Sequence, residues 1–224
     1  MSDMREETNP PASRRQRRKM HTGRLEAFSD SVFAFAITLL VLDLAVPAIT
    51  QHDLLGALGR QRASFLAYVV SFATVGAIWL GHSLITEYLE RTDSTLTRLN
   101  LLLLLLVSFL PFPTRLLAQY IGVDSAEKVA ATIYGLTLLC AAGLLSVLWR
   151  YALHEHLVVP DADDTELSIL TQRLTPGLAG YVVLLALGLV VPVVAVIGYF
   201  VLALFYILPL PLQRRPRQRP GTRR

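Results

Sequence analysis

The chain has 224 residues, 53% of them hydrophobic and only 17% charged, with a formal net charge of +4 and a mean hydropathy of +0.49. That composition excludes a disordered polar chain and an ordinary soluble enzyme, and points to a polytopic membrane protein. The single cysteine, Cys140, excludes an intramolecular disulfide and a cysteine metal cluster.

Residues 1–23 (MSDMREETNPPASRRQRRKMHTG) are polar, carry two adjacent prolines and show no apolar periodicity. They read as a disordered, basic cytoplasmic arm. The first span follows from Arg24 to about Val46, ended by Pro47. It has the length and apolarity of a membrane helix, yet it contains Arg24, Glu26, Ser29, Asp30, Ser31, Thr38 and Asp43. With a charge inside it and no small-residue cleavage pattern after it, it does not read as a cleavable signal. Residues 48–61 read as a short outer loop with a helical turn at Asp53–Leu58.

The second span is expected at about Arg62–Thr86, with Trp79 and His82 on one face. A hydrophilic linker (87–95) leads to the third span, about Leu96–Gln119. This span holds Asn100, six consecutive leucines (101–106) and Pro111-Phe112-Pro113, which should kink it or end its regular bonding. The fourth span is about Ala126–Trp149. The longest loop then runs from Arg150 to about Gln172, with His154-Glu155-His156 and an acidic cluster; it reads as solvated. The last apolar stretch is divided at Pro192 into spans at about Thr171–Val190 and Val193–Leu210, and residues 213–224 form a second basic tail. The unit at 24–212 is thus an all-α, six-span membrane domain.

Six spans put both termini on one side. Seven Lys/Arg lie in the first 24 residues and six in the last twelve, so the positive-inside rule makes that side the cytoplasm. Tails of this kind suit anionic lipid better than nucleic acid. No Ser-His-Asp arrangement, H-E-x-x-H or Gly-rich phosphate loop appears, so nothing supports an enzyme. No resident cofactor is implied.

On the first span, Phe28, Ser31, Phe35, Thr38 and Leu42 recur at steps of 3, 4, 3 and 4, with Leu39 beside them, and form one face. This face is either a helix-packing stripe or a pore wall, in which hydrophobic rings and one hydroxyl ring would surround an axis. Ser29 and Asp30 point elsewhere. A buried, ionised Asp30 needs donors, and the candidates by matching depth are Arg24, Trp79, His82 and Asn100. No second intramembrane acid faces Asp30 as a proton relay would want, so a structural polar knot is the better reading. His82 has no partner at metal-ligand spacing in spans 1–3.

Arg24-x-x-x-Phe28-Ser29-Asp30 resembles the RxxxFSD signature of the transmembrane-protein-175 type of potassium channel. AFAITLLVLDL, Trp79-x-x-His82, Asn100 and Pro111-Phe112 extend the likeness. The resemblance implies a single-repeat, bacterial-type channel in the plasma membrane: a homotetramer with four first helices around the pore and K⁺ as the permeant ion. It implies constrictions at Phe35, Leu39 and Leu42 and a hydroxyl layer at Thr38. It also implies an intrasubunit network of Arg24, Phe28, Ser29, Asp30, Trp79, His82 and Asn100. Phe35 departs from the aliphatic residue usual at the innermost constriction. Two rivals stand beside this reading: a proton channel or small proton-coupled transporter using Asp30 and His82, and a non-conducting scaffold.

Overall fold

The computed structural model describes residues 12–44, 54–160 and 163–208. The described elements are helical: α1 (Ala12–Leu40), α2 (Leu54–Arg60), α3 (Arg62–Tyr88), α4 (Ser94–Phe109), α5 (Pro111–Tyr120), α6 (Asp124–His154), α7 (Asp164–Gly188) and α8 (Pro192–Ile207). Arg62–Tyr88, Ser94–Tyr120, Ser125–His154 and Leu170–Gly188 are each long and apolar enough to cross a membrane. Helix α8 is apolar but has 16 residues, roughly 24 Å at about 1.5 Å per residue. Large apolar side chains stand open around the outside, among them Leu105, Val183, Val190 and Phe205. Such a surface would aggregate in water and is satisfied by lipid.

Several boundaries differ from the sequence expectations. Helix α1 begins at Ala12, so residues 12–23 are helical rather than a disordered arm. The segment ASRRQRRKM is built from good helix formers and follows Pro11, a residue suited to the entrance of a helix. Residues 1–11 and the 213–224 tail lie outside the described chain. At its other end α1 stops at Leu40, passes into a 3-10 turn, Val41–Asp43, and is closed by the Leu44 amide on the Val41 carbonyl. Helix α6 runs to His154 and α7 starts at Asp164, which shortens the expected long loop. Asp163 caps α7, its carboxylate accepting from the Thr165 amide at 2.9 Å. Pro192 begins α8 at its first turn, where a missing N–H costs nothing.

The prolines of the third span interrupt it at Leu110 without ending it. Pro111 removes the N–H that would serve the Val107 carbonyl. The Leu110 amide takes up that carbonyl at 3.2 Å while also bonding Leu106 at 3.1 Å, and α5 resumes at once. Near this break Ser71 and Thr74 of α3, Thr114 of α5 and Tyr134 of α6 form a buried hydroxyl cluster. Ser71 Oγ lies 2.8 Å from Thr114 Oγ1 and donates to Tyr134 Oη at 3.1 Å, which is also 3.1 Å from Thr74 Oγ1. Buried hydroxyls are tolerated because each has a partner.

Helix α1 packs against α3 and α4; α6 packs against α4, α5 and α7; α8 lies against α3 and α7. The connections at one end of the bundle are stitched together. Leu89 and Val158 form an antiparallel bridge, and the Val159 amide donates to the Tyr88 carbonyl at 2.9 Å. Asp93 caps α4 through the Leu96 amide (2.7 Å) and accepts from the Tyr151 hydroxyl of α6 (2.5 Å). Burial pushes the Asp93 carboxyl up, but the bonds from Tyr151, Leu96 and Thr95 outweigh it and hold the group below its usual value.

Two predictions follow from this packing. Where a Cβ on Gly135 would stand, the Tyr199 hydroxyl already sits, with the ring carbon behind it at 3.0 Å. Gly135→Ala should lower the melting temperature in detergent, and Tyr199→Phe in the same chain should restore part of the loss; an unchanged melt in the single variant would refute this contact. The Asp93 contribution is full above the ordinary carboxylate value of 3.8 and disappears as pH falls through the lower folded value. Melts taken from about pH 5 to about pH 2 should show the wild type losing more stability than Asp93→Asn.

Candidate functional site: the polar knot and the outward face of the first helix

Helix α1 divides its residues between two faces. Ser29, Phe33, Ala36 and Leu40, at steps of 4, 3 and 4, are buried within the subunit. Phe28, Ser31, Phe35, Thr38 and Leu42 are exposed, with Leu39 half-buried beside them. Phe35 is 65% exposed and Leu42 68%, so this stripe is largely uncovered within its own subunit.

On the inward face, α1 is tied to α3 and α4 by a directional chain of hydrogen bonds. Ser29 Oγ donates to the Leu25 carbonyl at 2.8 Å and accepts from Asn100 Nδ2 at 2.9 Å. Asn100 Oδ1 lies 2.8 Å from His82 Nε2. The Ser29 hydroxyl proton is already committed to Leu25, so Asn100 must present its N–H₂ to Ser29 and its oxygen to His82. His82 therefore donates from Nε2. Its Nδ1 is buried without a partner, so a proton there would have no acceptor. Phe33 packs on the imidazole, ring centroids 5.5 Å apart. Ser29, His82 and Asn100 are all 0–1% exposed.

A second, separate bond ties the same helices. Trp79 Nε1 donates to Asp30 Oδ1 at 2.9 Å. The structure thus brings together Ser29, Asp30, Trp79, His82 and Asn100. It does not bring Arg24 or Phe28 to them. Arg24 is exposed about one and a half turns earlier on α1, outside these bonds, and Phe28 belongs to the outward stripe. Asp30 and His82 make no bond to each other; each is engaged by a different neighbour.

The hydroxyls of the outward stripe are turned along the helix. Ser31 Oγ donates to the Ala27 carbonyl and Thr38 Oγ1 to the Phe35 carbonyl, each at 2.8 Å. With its proton committed, the Thr38 oxygen presents lone pairs and no donor to whatever faces the stripe. The buried hydroxyl cluster around Tyr134 was not among the residues singled out from sequence. Serines, threonines and tyrosines are common in membrane helices, and only their meeting across three helices marks them.

A family model described as the endosomal/lysosomal potassium channel TMEM175 matches residues 24–111. The chain is 40% identical over 187 residues to a potassium channel of Streptomyces collinus, covering 83% of this chain and 91% of that one. It is 40% identical over 196 residues to a potassium channel of Chamaesiphon minutus, covering 84% and 94%. The crystal structure of a lysosomal potassium-selective channel TMEM175 homolog from Chamaesiphon minutus superposes with a TM-score of 0.75 at 38% identity, covering 84% of this chain and 97% of that one.

Removing the middle of the hydrogen-bonded chain strands two buried groups at once. Asn100→Ala should cost about 2–4 kcal/mol of stability. Asn100→Asp should also be destabilising, because it places an acceptor against the Ser29 oxygen. Thermal unfolding in detergent measures both, and an Asn100→Ala protein as stable as wild type would show that the knot does not hold α1.

Proposed function

The chain belongs to the TMEM175 family of potassium channels, and from that premise we propose that it conducts K⁺ passively across a bacterial plasma membrane. The observation that carries the reading is the unpartnered stripe on α1, running opposite the buried polar face of the same helix. Four copies around a common axis would bring these stripes together and line a path with them. Phe35, Leu39 and Leu42 then form stacked apolar constrictions, which gate by dewetting. Thr38 contributes a ring of oxygens whose lone pairs replace part of the ion's hydration.

The remaining site residues act on the ion through geometry. Ser29, Asp30, Trp79, His82 and Asn100 set the rotation of α1 and thereby aim Phe35 and Thr38 at the axis. Asp30, on another face, stays out of the ion's way. Phe35 gives this channel a character of its own: four phenyl rings close the axis or present their electron-rich faces to a dehydrated cation. Six spans over residues 24–212 would leave both basic termini in the cytoplasm, as the positive-inside rule asks.

The proton-channel rival needs Asp30 and His82 to exchange a proton. Their separate bonds, to Trp79 and to Asn100, speak against it. The scaffold rival leaves the outward stripe without a use.

The deciding experiment is ion flux into proteoliposomes under a K⁺ gradient, then a Na⁺ gradient, each without and with a proton gradient. K⁺ flux should need no proton gradient. Phe35→Ala and Leu42→Ala should raise it several-fold, while Asp30→Asn should lower the yield of folded protein and leave its pH dependence flat. Unchanged flux in both pore variants of a conducting wild type would remove α1 from the pore. Flux that requires protons and collapses in Asp30→Asn would replace the channel with the proton-coupled reading.

A further inference from the structure

One charged residue of α1 is used neither by the polar knot nor by the apolar constrictions. The RxxxFSD resemblance implies a place for Arg24 in the intrasubunit network. The side chain is exposed instead, and the bonds among Ser29, Asp30, Trp79, His82 and Asn100 leave it out. Among the described residues no acidic side chain pairs with it.

Its register on the helix is specific. Arg24, Phe28, Ser31, Phe35, Thr38 and Leu42 follow one another at steps of 4, 3, 4, 3 and 4, so Arg24 stands on the line of the outward stripe. It precedes Phe28 by about 6 Å, at about 1.5 Å per residue, and is the member of that line nearest the N-terminus. Glu26 is exposed too, but two residues turn it about 200° from Arg24, so it does not neutralise the line. Asp30 lies on another face and is engaged by Trp79.

Beyond Arg24 the stripe suits a cation. Ser31 and Thr38 have given their protons to backbone carbonyls and present lone pairs. Arg24 at the entrance has the opposite effect. Carried around the axis with the stripe, four guanidinium groups set four like charges at the mouth of a cation path, and such rings attract anions and repel cations. The planar fork of arginine matches the oxygens of a phosphate group. An anion with several negative charges would bridge more than one fork and cancel much of the barrier.

We propose that the Arg24 side chains of four subunits form a site for a phosphate-bearing anion at the cytoplasmic mouth, and that its occupancy admits K⁺ to the pore. This rests on the reading that four first helices surround the path with their N-termini in the cytoplasm. The phosphate group can come from a free cytoplasmic compound or from an anionic lipid headgroup at the rim.

The test joins ion flux to direct binding, with pyrophosphate as the probe. In phosphatidylcholine proteoliposomes, pyrophosphate on both sides should raise K⁺ flux several-fold over potassium chloride of equal ionic strength. Arg24→Gln should conduct more than the wild type without pyrophosphate and should not respond to it. Arg24→Lys keeps the charge but not the fork, so it should keep the barrier and lose most of the response. Arg98→Gln, the same charge change at an exposed position on α4, should respond as the wild type does. Flux already raised in phosphatidylglycerol, with no further gain from pyrophosphate, identifies a lipid headgroup as the source; equal flux in the two lipids identifies a free phosphate compound. Isothermal titration of the full-length protein in detergent should find one pyrophosphate per four chains, lost in Arg24→Gln, and a melt of each variant checks folding. An equal effect of chloride would reduce the phenomenon to ionic screening and overturn the site. So would pyrophosphate binding that survives in folded Arg24→Gln, or binding at one per chain. A wild type silent to K⁺ in every condition would remove the conduction reading alone; Arg24-dependent binding at one per four chains would still uphold the site, and its absence would overturn it.

Discussion

The hydrogen-bonded run from the Leu25 carbonyl through Ser29 and Asn100 to His82 is the constraint on which the rest of the architecture depends. In hydrocarbon an unpaired polar group has no water to fall back on. The bonds of this run close only when α1, α3 and α4 stand at one relative height and rotation. Apolar packing alone tolerates sliding, because one leucine replaces another at modest cost. A donor facing a donor is not tolerated in the same way. The knot therefore specifies the position of α1 more than it adds net stability, the role best attested for buried polar groups.

That specification makes the outward stripe of α1 meaningful. Phe35 and Thr38 are held at a definite angle although both are exposed in their own subunit. Elsewhere the bundle uses a second device. The Tyr134 hydroxyl cluster joins α3, α5 and α6 beside the interruption at Leu110, where Pro111 weakens the helix's own bonding. Gly135 then lets Tyr199 come close enough to pack its ring on Tyr134, centroids 5.8 Å apart. A proline-broken span is thus braced by side chains from its neighbours, as is usual where helices in lipid lose backbone bonds.

Much of this was legible in the sequence because depth in a membrane is countable. Trp79 could be matched to Asp30 from the antiparallel order of spans, and it does bond that side chain; His82 and Asn100, matched on the same ground, join Ser29 instead. Direction was not legible: the same count offered Arg24 as a partner, and its side chain is exposed instead. Helix ends were misjudged where two signals competed. At residues 12–23, polar composition argued for disorder while the individual residues favoured helix. At 150–163, charge argued for loop while α6 carried on to His154 and Asp163 capped the next helix close by. The hydroxyl cluster was invisible for another reason: it consists of common residues far apart in the chain, with no spacing rule to connect them.

The two faces of α1 share one helical phase, and this limits how the segment can change. Substitutions alter one face at a time: Phe35 could become leucine without disturbing Ser29. A single inserted or deleted residue between Asp30 and Phe35 is different in kind. It would turn everything beyond it by about 100° and shift it by about 1.5 Å along the axis. The knot would keep its grip on Ser29 and Asp30, while Phe35, Thr38 and Leu42 swung away from their common line and Phe33, Ala36 and Leu40 left the core. The stretch from Ser29 to Leu42 can vary in its letters but not in its length.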